Sequence, residues 1–173
     1  MSTDPTKTCQ KRGGRPAGRA RSAARLAAVQ ALYQIQISGG ASREVVREFV
    51  THRLGTEIEG DVYIAADTDF FSDLVIGTER RLQEIDKLIA HALSSNWSLD
   101  RLERLMRAVL RAGTYELVAR PDVPTKVIID EYVDVAHAFF SEKEPGFVNG
   151  VLDRLGKSVR HGGSTPGGKE ATT

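Results

Sequence analysis

The sequence predicts an all-α fold, and three observations lead to it. Apolar residues recur at intervals of three and four through most of residues 19–160. Strand signals are almost absent: the one β-branched run, Val127-Ile128-Ile129, continues into a 3.6-residue pattern instead of alternating. Glycine, proline and Ser/Asn clusters cut the periodic text at helix-length intervals. A chain of 173 residues suits a single domain. Its apolar fraction of 40% is kept slightly low by two glycine-rich stretches, Gly13 to Gly18 and Gly162 to Gly168.

The first helix is expected from about Arg19 to Ile37. Leu26, Val29, Leu32, Tyr33 and Ile37 share one face, and Gly39-Gly40 ends it because glycine accepts the left-handed termination. Ser42 is the expected N-cap of a helix over 43–54, where Glu44 suits the positive end of the dipole and Gly55 supplies the stop. After an acidic loop, Phe71, Leu74, Val75, Leu82, Ile85, Leu88, Ile89 and Ala92 write one long helix that stops near Ser94-Ser95-Asn96. Ser98 is expected to cap the next segment, striped by Leu102, Leu105, Met106, Val109, Leu110, Gly113 and Leu117 and stopped by Pro121. Pro124 fits the first turn of a helix that buries Val127, Ile128, Tyr132, Val135 and Phe139. Pro145-Gly146 is read as a break, followed by a helix from Phe147 with Val148, Val151, Leu152, Leu155 and Val159 inside. Residues 161–173 are too polar to pack and are expected to be a disordered tail, as 1–18 are expected to be a disordered basic arm.

Charge is distributed unevenly. Residues 1–25 carry Lys7, Lys11, Arg12, Arg15, Arg19, Arg21 and Arg25 against Asp4, a net +6, while the whole chain is only +1, which leaves the remainder at −5. A cationic arm on an acidic body points to a nucleic-acid contact. Arg19, Arg21 and Arg25 enter the first helix, where Arg21 and Arg25 stack four residues apart on a face separate from Leu26, Val29 and Tyr33. A guanidinium held by a rigid element can fork onto phosphate; the plain alternative is that these arginines solvate the helix or pair with the acidic body.

Other chemistries find little support. The single cysteine, Cys9, excludes an internal disulfide and fits a reducing cytoplasm, and no secretory apolar core or membrane-length apolar run occurs. Gly163 to Lys169 has the glycine and lysine spacing of a phosphate loop, but Glu170 stands where a magnesium-binding hydroxyl is required and no strand precedes it. The four histidines (His52, His91, His137, His161) fall on separate elements, and Glu48/His52 lacks the second histidine of a zinc helix. Asp61, Asp67, Asp69 and Asp73 lack the glycine and closing glutamate of a calcium loop and are read as helix-start acids. No nucleophile elbow is present, and Cys9 sits in the arm. No catalytic activity, metal or cofactor is expected.

Three ordered motifs carry a family resemblance. Arg21-Ser-Ala-Ala-Arg25-Leu-Ala-Ala-Val-Gln-Ala-Leu-Tyr33 resembles the N-terminal helix motif of the NusB family of bacterial transcription antitermination factors. Trp97-Ser-Leu-Asp-Arg101-Leu, Arg107-Ala-Val-Leu-Arg111, Tyr115-Glu-Leu117 and Asp122-Val-Pro124 resemble its central pattern in order and spacing. Phe147-Val-Asn-Gly-Val-Leu-Asp153 reproduces its terminal run. The resemblance implies about seven helices in two small bundles packed as one compact domain over residues 19–160, with RNA and protein binding. It also implies that the arginine-rich segment contacts single-stranded boxA leader RNA together with NusE, a small ribosomal protein. The complex then joins NusA and NusG on RNA polymerase to suppress termination on ribosomal RNA operons.

Under that reading the expected RNA-contacting residues are Arg19, Arg21, Arg25, Phe147 and Asn149. Phe147 and Asn149 could reach bases from a helix start; by position alone they are a core plug and a backbone partner. Tyr33 ends the first motif but lies on the apolar face and is expected to pack. Three phosphates neutralised by Arg19, Arg21 and Arg25 would give log K a slope of about −2 against log salt. Met106 departs from the acid that the family usually places there, and Asp130-Glu131 replaces its usual Asn-Glu. The residues that bind NusE are not identified. The alternative reading is the related RNA-binding helical domain of ribosomal-RNA cytosine methyltransferases without its catalytic part. A self-associated homodimer that buries the RNA face is a further possibility.

Overall fold

A computed structural model describes residues 16–54 and 66–161. The described residues form seven α-helices and one 3₁₀ turn, with no strand among them. In order these are α1 (Pro16–Ser38), α2 (Ser42–His52), α3 (Thr68–Arg80), α4 (Leu82–Ala92), the 3₁₀ turn (Leu99–Arg101), α5 (Arg104–Ala119), α6 (Thr125–Phe139) and α7 (Lys143–His161). The basic stretch Lys7 to Arg15, Asp61 and the phosphate-loop-like segment of the tail lie outside the described residues.

The helices form the two expected groups around a shared axis. α1, α2 and α3 pack together, closed by Phe49 and Phe71, whose rings stack at 5.6 Å and 21°. α4, α6 and α7 pack with α5, and α5 also lies against α1 and α3. That central position explains its burial, which is unbroken from Ala108 to Leu117 and includes Arg111, Thr114 and Glu116. Two of these buried polar groups are answered within this half: Thr114 donates to the Leu110 carbonyl at 2.7 Å, and Arg111 forks onto Asp86 at 2.8 Å through Nε and Nη2. Arg160 of α7 donates to the carbonyls of Leu117, Arg120 and Val123 at 3.0, 2.8 and 2.6 Å. It thereby satisfies the Leu117 carbonyl, which Pro121 cannot reach with an amide, and ties the last turn of α7 to the α5–α6 connection.

Several boundaries differ from expectation, each for a local reason. α1 begins at Pro16, since a proline at the first helical position gives up an amide that has no partner anyway. Gly39 takes φ 66° and ends α1 as expected, its amide donating to the Ile35 carbonyl. Ala41 is the N-cap of α2 and Ser42 its first helical residue, so the hydroxyl makes no cap bond. The single long helix expected over 71–92 is two: the chain turns at Arg81 (φ −109°, ψ 21°) although its amide still bonds the Gly77 carbonyl. Gly77 sits directly under the Tyr115 ring, so α3 approaches α5 where only a hydrogen fits. Ser98 precedes the 3₁₀ turn and makes no side-chain cap bond, and α5 starts only at Arg104. Pro124 is the N-cap of α6 and not part of its first turn.

Pro145-Gly146 is not a break. α7 starts at Lys143, and Pro145 occupies its first turn, where no amide is needed. His161, assigned to the tail, is the last residue of α7. Three residues placed on buried faces point outward: Tyr33, Val127 and Ile37, the last 52% exposed. Asp67 behaves as a helix-start acid, accepting from the Phe70 amide at 3.0 Å, and its own amide bonds the Ala20 carbonyl at 3.0 Å. This pins the start of α3 against the first turns of α1.

Candidate nucleic-acid interface

The three arginines of α1 meet three different fates. Arg19 is exposed. Arg21 is partly exposed, with Nε 3.8 Å from an Asp67 carboxylate oxygen and its guanidinium 5.1 Å above the Phe70 ring. Arg25 is only 3% exposed. Its Nε and Nη2 fork onto Glu116 at 3.0 and 2.6 Å, and Nη1 lies 3.2 Å from Glu131.

The expectation that Arg25 is presented beside Arg21 is therefore corrected. Four residues is slightly more than one turn, so the rotation that leaves Arg21 at the rim carries Arg25 over α5. Burial opposes charge on Arg25, but the hydrogen bond and charge of Glu116 outweigh it and hold the pKa above its ordinary value. Burial and the same carboxylate hold the adjacent Tyr132 phenol well above its usual range.

This end of the molecule is a cleft of about 660 Å³ whose walls include Arg21, Asp67, Asp122, Pro124 and Glu131. Asp122 of this wall is held by Arg120, which forks onto it at 3.0 and 3.1 Å and reaches Asp73 at 3.3 Å. The hydrogen bond from Arg120 holds the Asp122 carboxyl below its usual range. Phe70 carries three guanidinium groups at 5.0 to 5.1 Å, those of Arg21, Arg25 and Arg120. Chemically, Arg19 and the loosely held Arg21 can take phosphate. Arg25 and Arg120 already hold carboxylates at hydrogen-bond distance.

The other two expected residues sit elsewhere. Phe147 is half-buried in the second turn of α7, and Asn149 is exposed. The Phe147 ring lies 5.6 Å from Trp97 at a 53° tilt, and with Leu102, Met106 and Phe140 the pair lines a cavity of about 410 Å³. Met106, where the family pattern has an acid, is buried in that wall. Trp97 is 49% exposed. In the sequence, the local sign of this ring is a tryptophan placed ahead of the Leu102 stripe with no position in it.

α6 separates the two sets. Pro124, its N-cap, lines the arginine cleft, while Phe140, just past its other end, lines the aromatic cavity. Fifteen helical residues span about 22 Å, so Arg21 and Phe147 stand at opposite ends of the domain. α1 runs antiparallel to α5, with Arg25 on Glu116 and Gln36 donating to the Arg104 carbonyl at 3.1 Å. Tyr33 and Ile37 consequently belong to the aromatic end. Among the described residues no three His, Cys, Asp or Glu side chains could hold a metal ion together, and no helix is long and apolar enough to cross a membrane.

Comparison with known proteins fits this geometry. A family model described as the NusB family matches residues 22–157. The transcription antitermination protein NusB of Allorhizobium ampelinum is 53% identical over 156 residues, which is 90% of this chain and 92% of that protein. NusB of Sinorhizobium fredii is 48% identical over 159 residues, covering 92% and 94%. Among solved structures, T. maritima NusB is 33% identical with a TM-score of 0.65, covering 79% of this chain and 90% of that one. A chain in the crystal structure of the antitermination factors NusB and NusE with double-stranded RNA is 29% identical with a TM-score of 0.68, covering 81% and 98%.

Proposed function

Since the chain belongs to the NusB family, we propose that it is a transcription antitermination factor that binds boxA leader RNA together with NusE. The complex joins RNA polymerase with NusA and NusG on ribosomal RNA operons. The observation that carries this is the likeness, over 81% of this chain and 98% of the other, to a chain of the NusB–NusE–RNA assembly. The match runs along nearly the full length of the curated relatives, which supports an antitermination factor over the helical domain of a methyltransferase. The role is binding and not catalysis, and it is exercised in the cytoplasm.

The RNA is held by two kinds of contact. Arg19 and Arg21 take phosphates, while Phe147 and Asn149 offer stacking and base-edge contacts. Arg25 acts through position, fixing α1 on α5 so that Arg21 projects. With two exposed arginines in place of three, the expected contribution of this helix to the salt slope falls to about −1.4.

The test is fluorescence anisotropy of a labelled boxA single-stranded RNA, with and without NusE, across salt. NusE is expected to tighten binding, and Arg19→Ala/Arg21→Ala to weaken it while flattening the salt response. No RNA binding by the wild type even with NusE would overturn the reading.

A further inference from the structure

Among the described residues three carboxylates line the arginine cleft, and each has another taker. Asp67 accepts from the Phe70 amide at 3.0 Å as the cap of α3. Glu131 lies 3.2 Å from Arg25. Asp122 receives the Arg120 fork at 3.0 and 3.1 Å. Arg21, on the same walls, is left with the 3.8 Å approach to Asp67 and the face of Phe70. It lacks a close partner because the acids around it are occupied.

Of the three, Asp122 is the acid best able to turn toward Arg21. Its side chain is 54% exposed, against 35% for Asp67 and 26% for Glu131, which are held by a helix cap and a buried guanidinium. The Arg120 hydrogen bond is the main cause of the low Asp122 carboxyl pKa, and the charge of Arg21 acts on it too. A guanidinium fork engages both oxygens of a carboxylate, so little of Asp122 remains for a second cation. The fork is held by rigid backbone: Pro121 fixes the step between its two residues, and Arg160 bonds the carbonyls of Arg120 and Val123 at 2.8 and 2.6 Å. Asp73 at 3.3 Å and the Phe70 ring at 5.1 Å hold the Arg120 guanidinium from its other sides.

We propose that Arg120 is a positioning residue for RNA binding: it occupies Asp122 so that Arg21 stays free for phosphate. Arg160 holds the α5–α6 connection in the shape that permits this. The inference rests on the RNA-binding reading above, in which Arg21 meets phosphate. Without Arg120, Asp122 is released and pairs with Arg21 across the cleft, and RNA must compete with an internal carboxylate. For a partly exposed pair that competition amounts to a roughly three- to fivefold loss of affinity.

The test is anisotropy of labelled boxA single-stranded RNA titrated with the full chain in the presence of NusE, with urea unfolding of each variant beside it. Arg120→Met keeps an apolar stem over Phe70 and removes the fork; it is expected to bind RNA roughly three- to fivefold more weakly. Adding Asp122→Asn should return the affinity to the wild-type value. Adding Asp73→Asn instead restores the same net charge but leaves Asp122 free, and should not. In an Arg21→Ala background Arg120→Met should have no further effect. Asp122→Asn alone should bind at least as tightly as wild type, a prediction that stands even if position 120 accepts no substitution.

Equal rescue by Asp122→Asn and Asp73→Asn overturns the proposal in favour of a long-range charge effect. No rescue by Asp122→Asn overturns it by making Arg120 itself a phosphate contact or a purely structural residue. Wild-type affinity in Arg120→Met, or weaker binding by Asp122→Asn alone, shows that Asp122 does not compete for Arg21. Each of these outcomes leaves the RNA-binding reading standing. Wild-type affinity in Arg21→Ala removes the role of Arg21, and no binding by the wild type removes the RNA-binding reading; either takes this proposal with it.

Discussion

The two ends of the domain use arginine in opposite ways. At the N-terminal end of α1, two arginines are consumed by the fold while Arg19 and Arg21 stay at the surface: Arg25 is sealed onto Glu116 and Glu131, and Arg120 onto Asp122 and Asp73. In the 3₁₀ turn before α5 and at the start of α7, Arg101 and Lys143 carry no such partner among the described residues and flank the partly exposed Trp97 and Phe147. A basic count therefore misleads as a guide to the binding surface. What matters is which cations the packing leaves uncommitted.

The largest expected effect probes the committed end. Glu116→Ala leaves the Arg25 guanidinium buried against Glu131 alone, and urea unfolding should show a loss of about 3–5 kcal/mol. Replacing both partners, Arg25→Met/Glu116→Leu, should recover most of that loss, because an apolar pair has no desolvation to offset. Next, Gly77→Ala drives a methyl into the Tyr115 ring and should destabilise by about 1–3 kcal/mol, measured the same way.

Arg21→Ala should change stability by under about 1 kcal/mol, since its pair with Asp67 is long and partly exposed, yet lower the RNA salt slope by about 0.7. Equal stability losses for Arg21 and Arg25 would break the contrast drawn along α1. The smallest effect is alkaline. Burial, then the hydrogen bond to Asp73, push the Tyr115 phenol up to about 12 from an ordinary 10.0. The neutral phenol stabilises the fold fully below about pH 10, and that stabilisation declines as pH rises through 10 toward 12. Tyr115→Phe should flatten this part of the stability profile.

Most of the fold was legible because periodicity reports burial directly. The stripes of α5 and α7 and the glycine stop at Gly39 follow from spacing alone. The turn at Arg81 was not legible, because the apolar pattern runs straight through it. Proline misled at position 145, where a residue that breaks a helix interior fits a first turn without cost. The candidate site was legible in its parts but not in its arrangement. Spacing placed Arg21 and Arg25 on one face, but the side on which α5 would lie, and hence the burial of Arg25, comes from tertiary packing. Glu116 reads as one more position in an apolar helix, with no local sign that it would meet Arg25 across 91 residues. The exposure of Trp97 was not legible, because a large ring left in water has no signature in spacing.

The central claim is that RNA is held electrostatically at one end and by stacking at the other. The most direct test is the salt dependence of boxA RNA affinity, in the presence of NusE, for Arg19→Ala/Arg21→Ala beside Phe147→Ala. The arginine variant should lose about 1.4 from the slope, and the phenylalanine variant should bind about tenfold more weakly at every salt concentration with the slope unchanged. Slopes that fall alike in both variants, or affinities that change in neither, would contradict it.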